Sequence, residues 1–428
     1  MPTSSGLSLH SRIVTGGRVT LSRSLTLASL AALAVPVFAA DGERPRETVS
    51  VGGFAIEPMG NMTSPDSAVT IHPKALVGVA YNTNVYATEN NTESDVFYSA
   101  IAGIDIGWRA TEEDKFLLSG EYVGQAYQEQ QGRNLQGGRG IFRYGHKALV
   151  WDANALASFA RTNDPFISTG EQIKHDDLDG AINASRTGNF IRVGAGGTYS
   201  RRDYLEGSAQ FGENDRDYTI VGGNMRAGYL YAEDSEAYVR GFVDRRNYDE
   251  DVFNDSTGYG GLVGVMAKIA TRSQLIAEIG ATYRAYKDDF RGIASYDDKN
   301  LIAPVGNLIY RWRPEIGSHV GARIYSSLED SITSNGAWLV GGVLDGRFRL
   351  QKQAALYGSA GVYRLTSSGH APGAETEVRT TEELTVGAEY FLMDGVGLRL
   401  QNVYTMSQSK TLNDFSRDVV SLDLGFVY

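Results

Sequence analysis

Apolar and polar residues alternate one by one along most of this chain. In the segment 420–428 every second residue is apolar or aromatic, and the residues between them include Ser421 and Asp423. The segment 275–284 follows the same pattern, with Leu275 and Ile279 on one face. A period of two places each set on one face of a β-strand. A helix would spread the charged residues around its whole circumference, so the pattern predicts strands.

Eighteen segments of this kind follow one another from residue 74 to the C-terminus. They are approximately 75–86, 95–109, 115–127, 134–145, 148–161, 177–187, 189–203, 217–231, 236–248, 259–270, 273–286, 300–313, 315–327, 337–350, 353–366, 382–393, 395–408 and 418–428. Short connections such as 271–272 alternate with long polar ones such as 287–299. Short turns at one end and long loops at the other are typical of transmembrane β-barrels.

The sequence therefore predicts an all-β fold, a transmembrane antiparallel β-barrel of about eighteen strands over residues 74–428. Sixteen strands is the alternative count, because the segments 134–145 and 177–187 alternate less clearly. A soluble sandwich or propeller would bury one face in a dry core. It fits poorly with eighteen hairpins whose loop lengths differ from one end to the other.

The N-terminus predicts export from a Gram-negative cytoplasm. Residues 1–39 combine basic residues, including Arg23, an apolar stretch from Leu25 to Val37, and small residues before a cut at Ala40, which is the pattern of a signal peptide. Residues 40–73 contain four prolines and are interpreted as a periplasmic tail. An even number of strands places this tail and the C-terminus on the same, periplasmic side.

The amino-acid composition excludes several classes of function. The chain has no Cys, which excludes disulfide scaffolds, thiolate metal sites and Cys nucleophiles. Its net charge of −11 argues against nucleic acid as a partner. Gly is abundant, with 50 of 428 residues, and Tyr is frequent, as suits many strands. No carboxylate pair, His cluster or ligand spacing predicts a catalytic residue, a metal or a cofactor, so we expect no enzyme activity.

The polar face of the predicted barrel lines its lumen, and basic residues outnumber acidic ones there. An Arg-lined pore favours anions. The alternative interpretation is that facing Arg and acidic residues simply pair. The pore-lining candidates are Arg192, Arg226, Arg240, Arg284, Arg323, Arg347, Arg349, Arg399, Glu278 and Glu389.

Two stretches resemble known outer-membrane sequences. The chain ends on Phe426-Val427-Tyr428, which resembles the C-terminal signal that the outer-membrane assembly machinery recognises in its barrels. The run Tyr81-Asn82-Thr83-Asn84-Val85-Tyr86, followed by Ser94-Asp95-Val96-Phe97, is similar to the first hairpin of a family of β-barrel porins often found in exopolysaccharide gene clusters; Asn163-Asp164-Pro165 is similar as well.

That resemblance implies an eighteen-stranded barrel in the outer membrane that passes an extracellular polysaccharide. If the lumen is cationic, the polysaccharide is expected to be acidic. The alternatives are a general diffusion porin for small solutes and a non-conducting structural or adhesive barrel. The expected partners are outer-membrane lipid, the assembly machinery, the polysaccharide or small-solute cargo, and a periplasmic export partner.

Overall fold

A computed structural model describes residues 49–63, 67–162, 173–206, 216–250, 253–287, 300–315, 317–329, 331, 334–367, 376–410 and 414–428. The predicted signal peptide, residues 1–39, lies outside the described residues. So do most residues of the predicted loops 162–176, 204–216, 287–299 and 367–381, and the motif Asn163-Asp164-Pro165.

Two short strands, β1 (Val49–Val51) and β2 (Phe54–Ile56), precede eighteen antiparallel strands that form one closed barrel. Each barrel strand pairs with its neighbours in sequence, and the last pairs with the first. The strands are β3 Val69–Asn82, β4 Asp95–Arg109, β5 Asp114–Tyr127, β6 Leu135–Lys147, β7 Trp151–Thr162, β8 His175–Thr187, β9 Ile191–Tyr204, β10 Tyr218–Ala232, β11 Ser235–Tyr248, β12 Ser256–Ala270, β13 Ser273–Tyr286, β14 Asn300–Trp312, β15 His319–Glu329, β16 Ala337–Gln351, β17 Ala354–Ser367, β18 Val378–Met393, β19 Val396–Ser409 and β20 Phe415–Val427.

The predicted fold class and the count of eighteen are confirmed, and the alternative count of sixteen is wrong. The two weakly alternating segments, 134–145 and 177–187, are strands β6 and β8. β6 is rich in Gly, and its strand is held by the register with β5 and β7.

Connection lengths distinguish the two ends of the barrel. At the end that carries the start of β3 and the end of β20, the connections span two to six residues; we call this the short-turn end. At the opposite, long-loop end the connections span five to thirteen residues. Among the described residues, no helix is long and apolar enough to cross a membrane.

The outer face of the barrel is apolar. Large side chains stand exposed on it along every strand, among them Met225, Ile279 and Ile302. Trp108, Tyr231 and Trp151 are exposed on the same face near the strand ends, as aromatic side chains at membrane interfaces are. An apolar exterior around a polar interior is the arrangement that a barrel in lipid requires.

The segment interpreted as an aperiodic tail, 40–73, contains structure at its C-terminal side. β1 (Val49–Val51) and β2 (Phe54–Ile56) form a small hairpin, which we call the lumenal hairpin, residues 49–56. Its turn is Gly52-Gly53, with φ of +54° and +82°, which glycine adopts without strain.

The first barrel strand also begins earlier than predicted, at Val69, and includes Pro73. A proline cannot donate a ladder hydrogen bond, so within sheets it is tolerated where one side of the strand lacks a partner. Pro73 pairs with Ile104 of β4, but the pairing with β20 starts only at Lys74. The Pro73 carbonyl instead accepts a hydrogen bond from the Tyr428 N–H at 3.0 Å.

Candidate functional site: the lumen wall

The alternation of each strand turns all ten pore-lining candidates toward the lumen. None of them is fully exposed, and the residues on either side of them point outward into the apolar face. Nine of the ten belong to ion pairs between an arginine and a carboxylate. Their part in transport remains a prediction.

Glu236 is the most enclosed of these carboxylates, with a side chain 0 % exposed. Arg226 donates to both of its oxygens, at 3.1 and 2.8 Å. Arg192, on β9 and therefore two strands from Glu236, donates to Glu236 Oε2 at 3.2 Å. Three strands, β9, β10 and β11, thus share one charged cluster, which fixes their side chains against the wall.

Similar pairs continue around the barrel. Glu278 accepts a hydrogen bond from the Tyr238 hydroxyl at 2.7 Å and pairs with Arg240 at 3.2 Å. Arg284 pairs with Asp244 at 2.7 Å.

On β16 to β20 the pairs are Arg347–Glu389 at 2.7 Å and Arg399–Asp423 at 2.9 Å. Because each guanidinium has a carboxylate beside it, these groups contribute little net field to the pore. The interpretation in which lumenal charges pair is therefore the better description of this part of the wall.

Arg323 is the exception among the candidates. Its Nε donates to Asn307 Oδ1 at 3.0 Å, and its guanidinium lies 4.7 Å from the centre of the Tyr325 ring. It forms no ion pair with any described residue. Arg311, on the adjacent strand, likewise has neither an ion pair nor a side-chain hydrogen bond within the described part of the chain.

Toward the long-loop end, arginines and tyrosines are layered on β9 to β11. Arg246 lies 5.1 Å and Arg202 6.0 Å from the centre of the Tyr218 ring. Arg216 lies 4.9 Å from the Tyr204 ring. A guanidinium above an aromatic face is a cation–π contact. This part of the lumen wall therefore combines flat apolar faces with donor groups.

The lumenal hairpin occupies the short-turn end of the lumen. Val51, Phe54 and Ile56 are each 0 % exposed and pack against inward-facing side chains, including Leu76 and Ile101. The wall is shaped to receive them. A Cβ on Gly397 would lie 2.6 Å from Phe54, and a Cβ on Gly425 would lie 2.6 Å from Ile56. We call the inner surface around these two glycines the hairpin seat.

Polar contacts hold the hairpin in this position. Lys74, with a side chain 2 % exposed, donates to the Ser50 carbonyl at 2.9 Å and pairs with Asp105 and Glu121 at 2.6 and 2.9 Å. Arg399 lies 3.4 Å from the Gly52 carbonyl oxygen.

Just beyond the hairpin, Arg349 pairs with Glu57 at 3.1 Å. Two pore-lining candidates, Arg349 and Arg399, therefore bind the chain's own N-terminal segment.

Sequence reasoning missed this hairpin, although a signal was present. Val49-Ser50-Val51-Gly52-Gly53-Phe54-Ala55-Ile56 is two short alternating runs separated by Gly-Gly, which is a hairpin pattern. The nearby prolines favoured an irregular tail over a hairpin.

One group of carboxylates has the spacing of a cation site. Asp203, Asp217 and Asp249 bring one oxygen each within 4.8 Å of one another at the long-loop end. Arg201 already pairs with Asp203 at 2.8 Å and with Asp249 at 3.2 Å. Burial, with the two neighbouring carboxylates, raises the pKa of Asp217, which accepts a hydrogen bond from the Tyr204 N–H. The group is best described as an ion-pair network.

The two residues of the predicted assembly signal, Phe426 and Tyr428, stand exposed on the outer face, 37 % and 44 %. The Tyr428 carbonyl lies 2.9 Å from His72 Nδ1, so the chain end is fixed to β3. Recognition by the assembly machinery remains a prediction.

The comparison with sequence families agrees with this architecture. A sequence-family profile described as "Putative beta-barrel porin 2" matches residues 68–427. No curated protein matches the chain. Solved structures that it resembles include OccAB4 of Acinetobacter baumannii, at 10 % identity and a TM-score of 0.46, covering 85 % of this chain and 100 % of that one. OccK1 (OpdK) of Pseudomonas aeruginosa is similar at 9 % identity and a TM-score of 0.45, covering 84 % and 99 %.

Proposed function

We propose, on the premise that this chain belongs to the family described as "Putative beta-barrel porin 2", that it is a passive conduit for an acidic extracellular polysaccharide. The protein is a β-barrel of the Gram-negative outer membrane, and its family and fold are those of a channel. In this proposal the polysaccharide enters at the short-turn end, delivered by a periplasmic export partner, and leaves at the long-loop end.

The observation that carries the proposal is a guanidinium group on the lumen wall that lies beside a tyrosine ring and forms no ion pair with a described residue. Arg323 lies 4.7 Å from the centre of the Tyr325 ring, whereas Arg226, above the Tyr238 ring, is already bound to Glu236. The C–H face of a sugar ring packs on an aromatic face, and guanidinium groups bind carboxylates. A wall of this composition suits a chain of acidic sugars.

A second candidate, a diffusion porin for small solutes, is favoured by the lumenal hairpin. The hairpin fills part of the short-turn end, and a narrow opening suits small solutes better than a polymer.

Deletion of the gene separates these two functions. For a polysaccharide conduit, we expect surface polysaccharide to be lost while its precursors accumulate in the periplasm. For a small-solute porin, surface polysaccharide should be unchanged and growth on one small nutrient should slow. Complementation with the intact gene is the control.

Reconstitution in planar bilayers tests conduction itself. We expect stable conductance, and in a KCl gradient a reversal potential that indicates anion preference. A preference for cations would contradict an acidic cargo. A bilayer that stays silent would favour the third function, a structural or adhesive barrel.

A further inference from the structure

We propose that Arg311, Arg323 and Asn307 form a binding site for a sugar carboxylate on the wall of the lumen. The inference deepens the proposed function and rests on it for the class of ligand. Its basis is a group of hydrogen-bond donors that lack acceptors, in a lumen where the other arginines among the pore-lining candidates are paired.

The strand register places these groups side by side. On β14 and β15, Asn307 lies opposite Tyr325, Ile309 opposite Arg323, and Arg311 opposite Gly321. All of these side chains face inward, so Arg311 and Arg323 are diagonal neighbours on one face. The backbone positions of diagonal pairs in antiparallel sheets lie about 7–8 Å apart, so two long arginine side chains on such positions can reach the same carboxylate.

The donors are oriented and available. Arg323 is held by its Nε bond to Asn307 Oδ1 and by the Tyr325 ring, so its two terminal nitrogens remain for a ligand. Asn307 Nδ2 is buried and has no acceptor. A buried donor without a partner is costly, and two guanidinium groups on one face repel each other. An oxyanion between them would relieve both conditions.

The nearby carboxylates contact other groups. Asp345, opposite Gly321, lies 3.2 Å from His319 Nε2. Glu278, opposite Asn307 on β13, accepts from Tyr238 and Arg240. Asp345 and Glu278 act on Arg311 and Arg323 only at longer range, and no described carboxylate forms an ion pair with either arginine, so an external anion can approach both.

The surroundings favour an anion that carries an apolar face. Ile309 lies between Asn307 and Arg311 on the inner face and belongs to a buried cluster with Ile276, Met266 and Tyr238. The Tyr325 ring adjoins the site from β15. A uronic acid presents a carboxylate and a C–H face together, which matches donors placed beside apolar surface.

Equilibrium binding to the detergent-solubilised full chain tests the site, with sodium glucuronate as the probe and isothermal titration calorimetry as the measurement. We expect R323Q and R311Q each to weaken glucuronate binding by about tenfold, because each removes charged hydrogen bonds to the carboxylate. R323K should weaken binding less than R323Q, since it keeps the charge and loses only the planar fork. Glucose, which lacks the carboxylate, should not bind measurably.

R186Q is the matched control. Arg186 is exposed on the outer face beside Trp151, so the same loss of one positive charge should leave glucuronate binding unchanged. Thermal unfolding of each variant in detergent shows whether it is folded. Where a Gln variant unfolds at a clearly lower temperature than the parent protein, the Lys variant at the same position takes its place.

Unchanged glucuronate binding in folded R323Q and R311Q would overturn the proposal. If sulfate binds as tightly as glucuronate, the site recognises an inorganic oxyanion equally well, and its assignment to a sugar carboxylate is wrong. Because calorimetry does not require conduction, the two proposals can fail separately. Normal conductance without binding rejects only the site, and binding without conductance rejects only the conduit.

Discussion

The Glu236 carboxylate lies entirely inside the lumen wall, and two guanidinium groups from β9 and β10 contact it. A carboxylate withdrawn from water is stable only with such partners. The partners in turn depend on it, because Arg192 and Arg226 would otherwise repel each other. The charges of this wall therefore serve first to hold strands together, and only those left without a carboxylate can serve a passing anion.

This dependence predicts the effect of Glu236→Gln on stability. The amide cannot neutralise Arg192 and Arg226, so we expect the free energy of unfolding to fall by about 1–3 kcal/mol. Urea-induced unfolding of the protein in lipid vesicles measures the change.

Glu233→Gln is the control for this experiment. The same chemical change is then made at an exposed position in the adjacent turn, and the free energy of unfolding should hardly change. Equal losses in the two variants would show that the enclosure of Glu236 is not the cause.

At this scale the sequence predicted which residues face inward but not which of them are paired. Alternation alone assigns Arg240 and Arg323 to the same face. Whether a carboxylate lies within reach depends on the register across several strands. Arg240 on β11 pairs with Glu278 on β13, with β12 between them. The sequence pattern does not contain that register, so only the structure shows that Arg240 is ion-paired and that Arg323 has no ion pair with a described residue.

Among the elements, the lumenal hairpin departs most from a simple barrel. It is only two three-residue strands, too small to be stable alone. Its stability comes from the hairpin seat, where Gly397 and Gly425 lie opposite each other on β19 and β20 and leave space for Phe54 and Ile56. The absence of two side chains on the wall thus determines where the N-terminal segment lies.

Filling the hairpin seat should release the hairpin. In Gly397→Leu the new side chain would overlap Phe54, and overpacking of this kind costs about 1–3 kcal/mol. Since the chain has no Cys, Ala55→Cys introduces a single thiol that reports on docking. We expect maleimide to label it faster in Gly397→Leu, and single-channel conductance to rise as the short-turn end opens.

Gly120→Leu provides the comparison, because a Cβ on Gly120 meets no atom within 4 Å. Labelling of the thiol should stay slow in that variant. If conductance also stays constant while labelling accelerates in Gly397→Leu, the hairpin does not limit the pore.

The predictability of the elements follows from their length. Strands of eleven to sixteen residues repeat the alternation often enough to be recognised, and even the Gly-rich β6 was found. A hairpin with two apolar positions per strand gives a much weaker pattern. Its burial comes from a surface assembled by distant strands, which local sequence does not reveal.

For the whole molecule, the continuous apolar exterior determines that the barrel is stable in a bilayer and not in water. Ile279 and Met225, near the middle of their strands, are 69 % and 73 % exposed. In water, a surface of this kind would associate. In a bilayer the same side chains are dissolved in hydrocarbon, and the closed ladder leaves no strand edge without a partner.

The depth of a residue in the membrane should therefore determine its tolerance of charge. We expect Ile279→Arg, near the bilayer midplane, to destabilise the barrel by about 2–4 kcal/mol, and Ile269→Arg, one residue before the end of β12, by about 0–1 kcal/mol. Folding into lipid vesicles at several urea concentrations measures both. Equal effects at the two positions would contradict a bilayer midplane at the level of Ile279. A protein that stays folded and monomeric in buffer without detergent would contradict the membrane location itself.

The hairpin seat has a consequence for the order of assembly. Its surface combines β18, β19 and β20 from the end of the chain with β3, β4 and β5 from its beginning. Such a surface is complete only after the last strand has joined the first. The N-terminal segment is translated before every strand of the wall, yet it can dock only after all of them are in place. Protection of residues 49–56 from a protease added on the periplasmic side would therefore mark the moment at which an individual molecule finishes maturing.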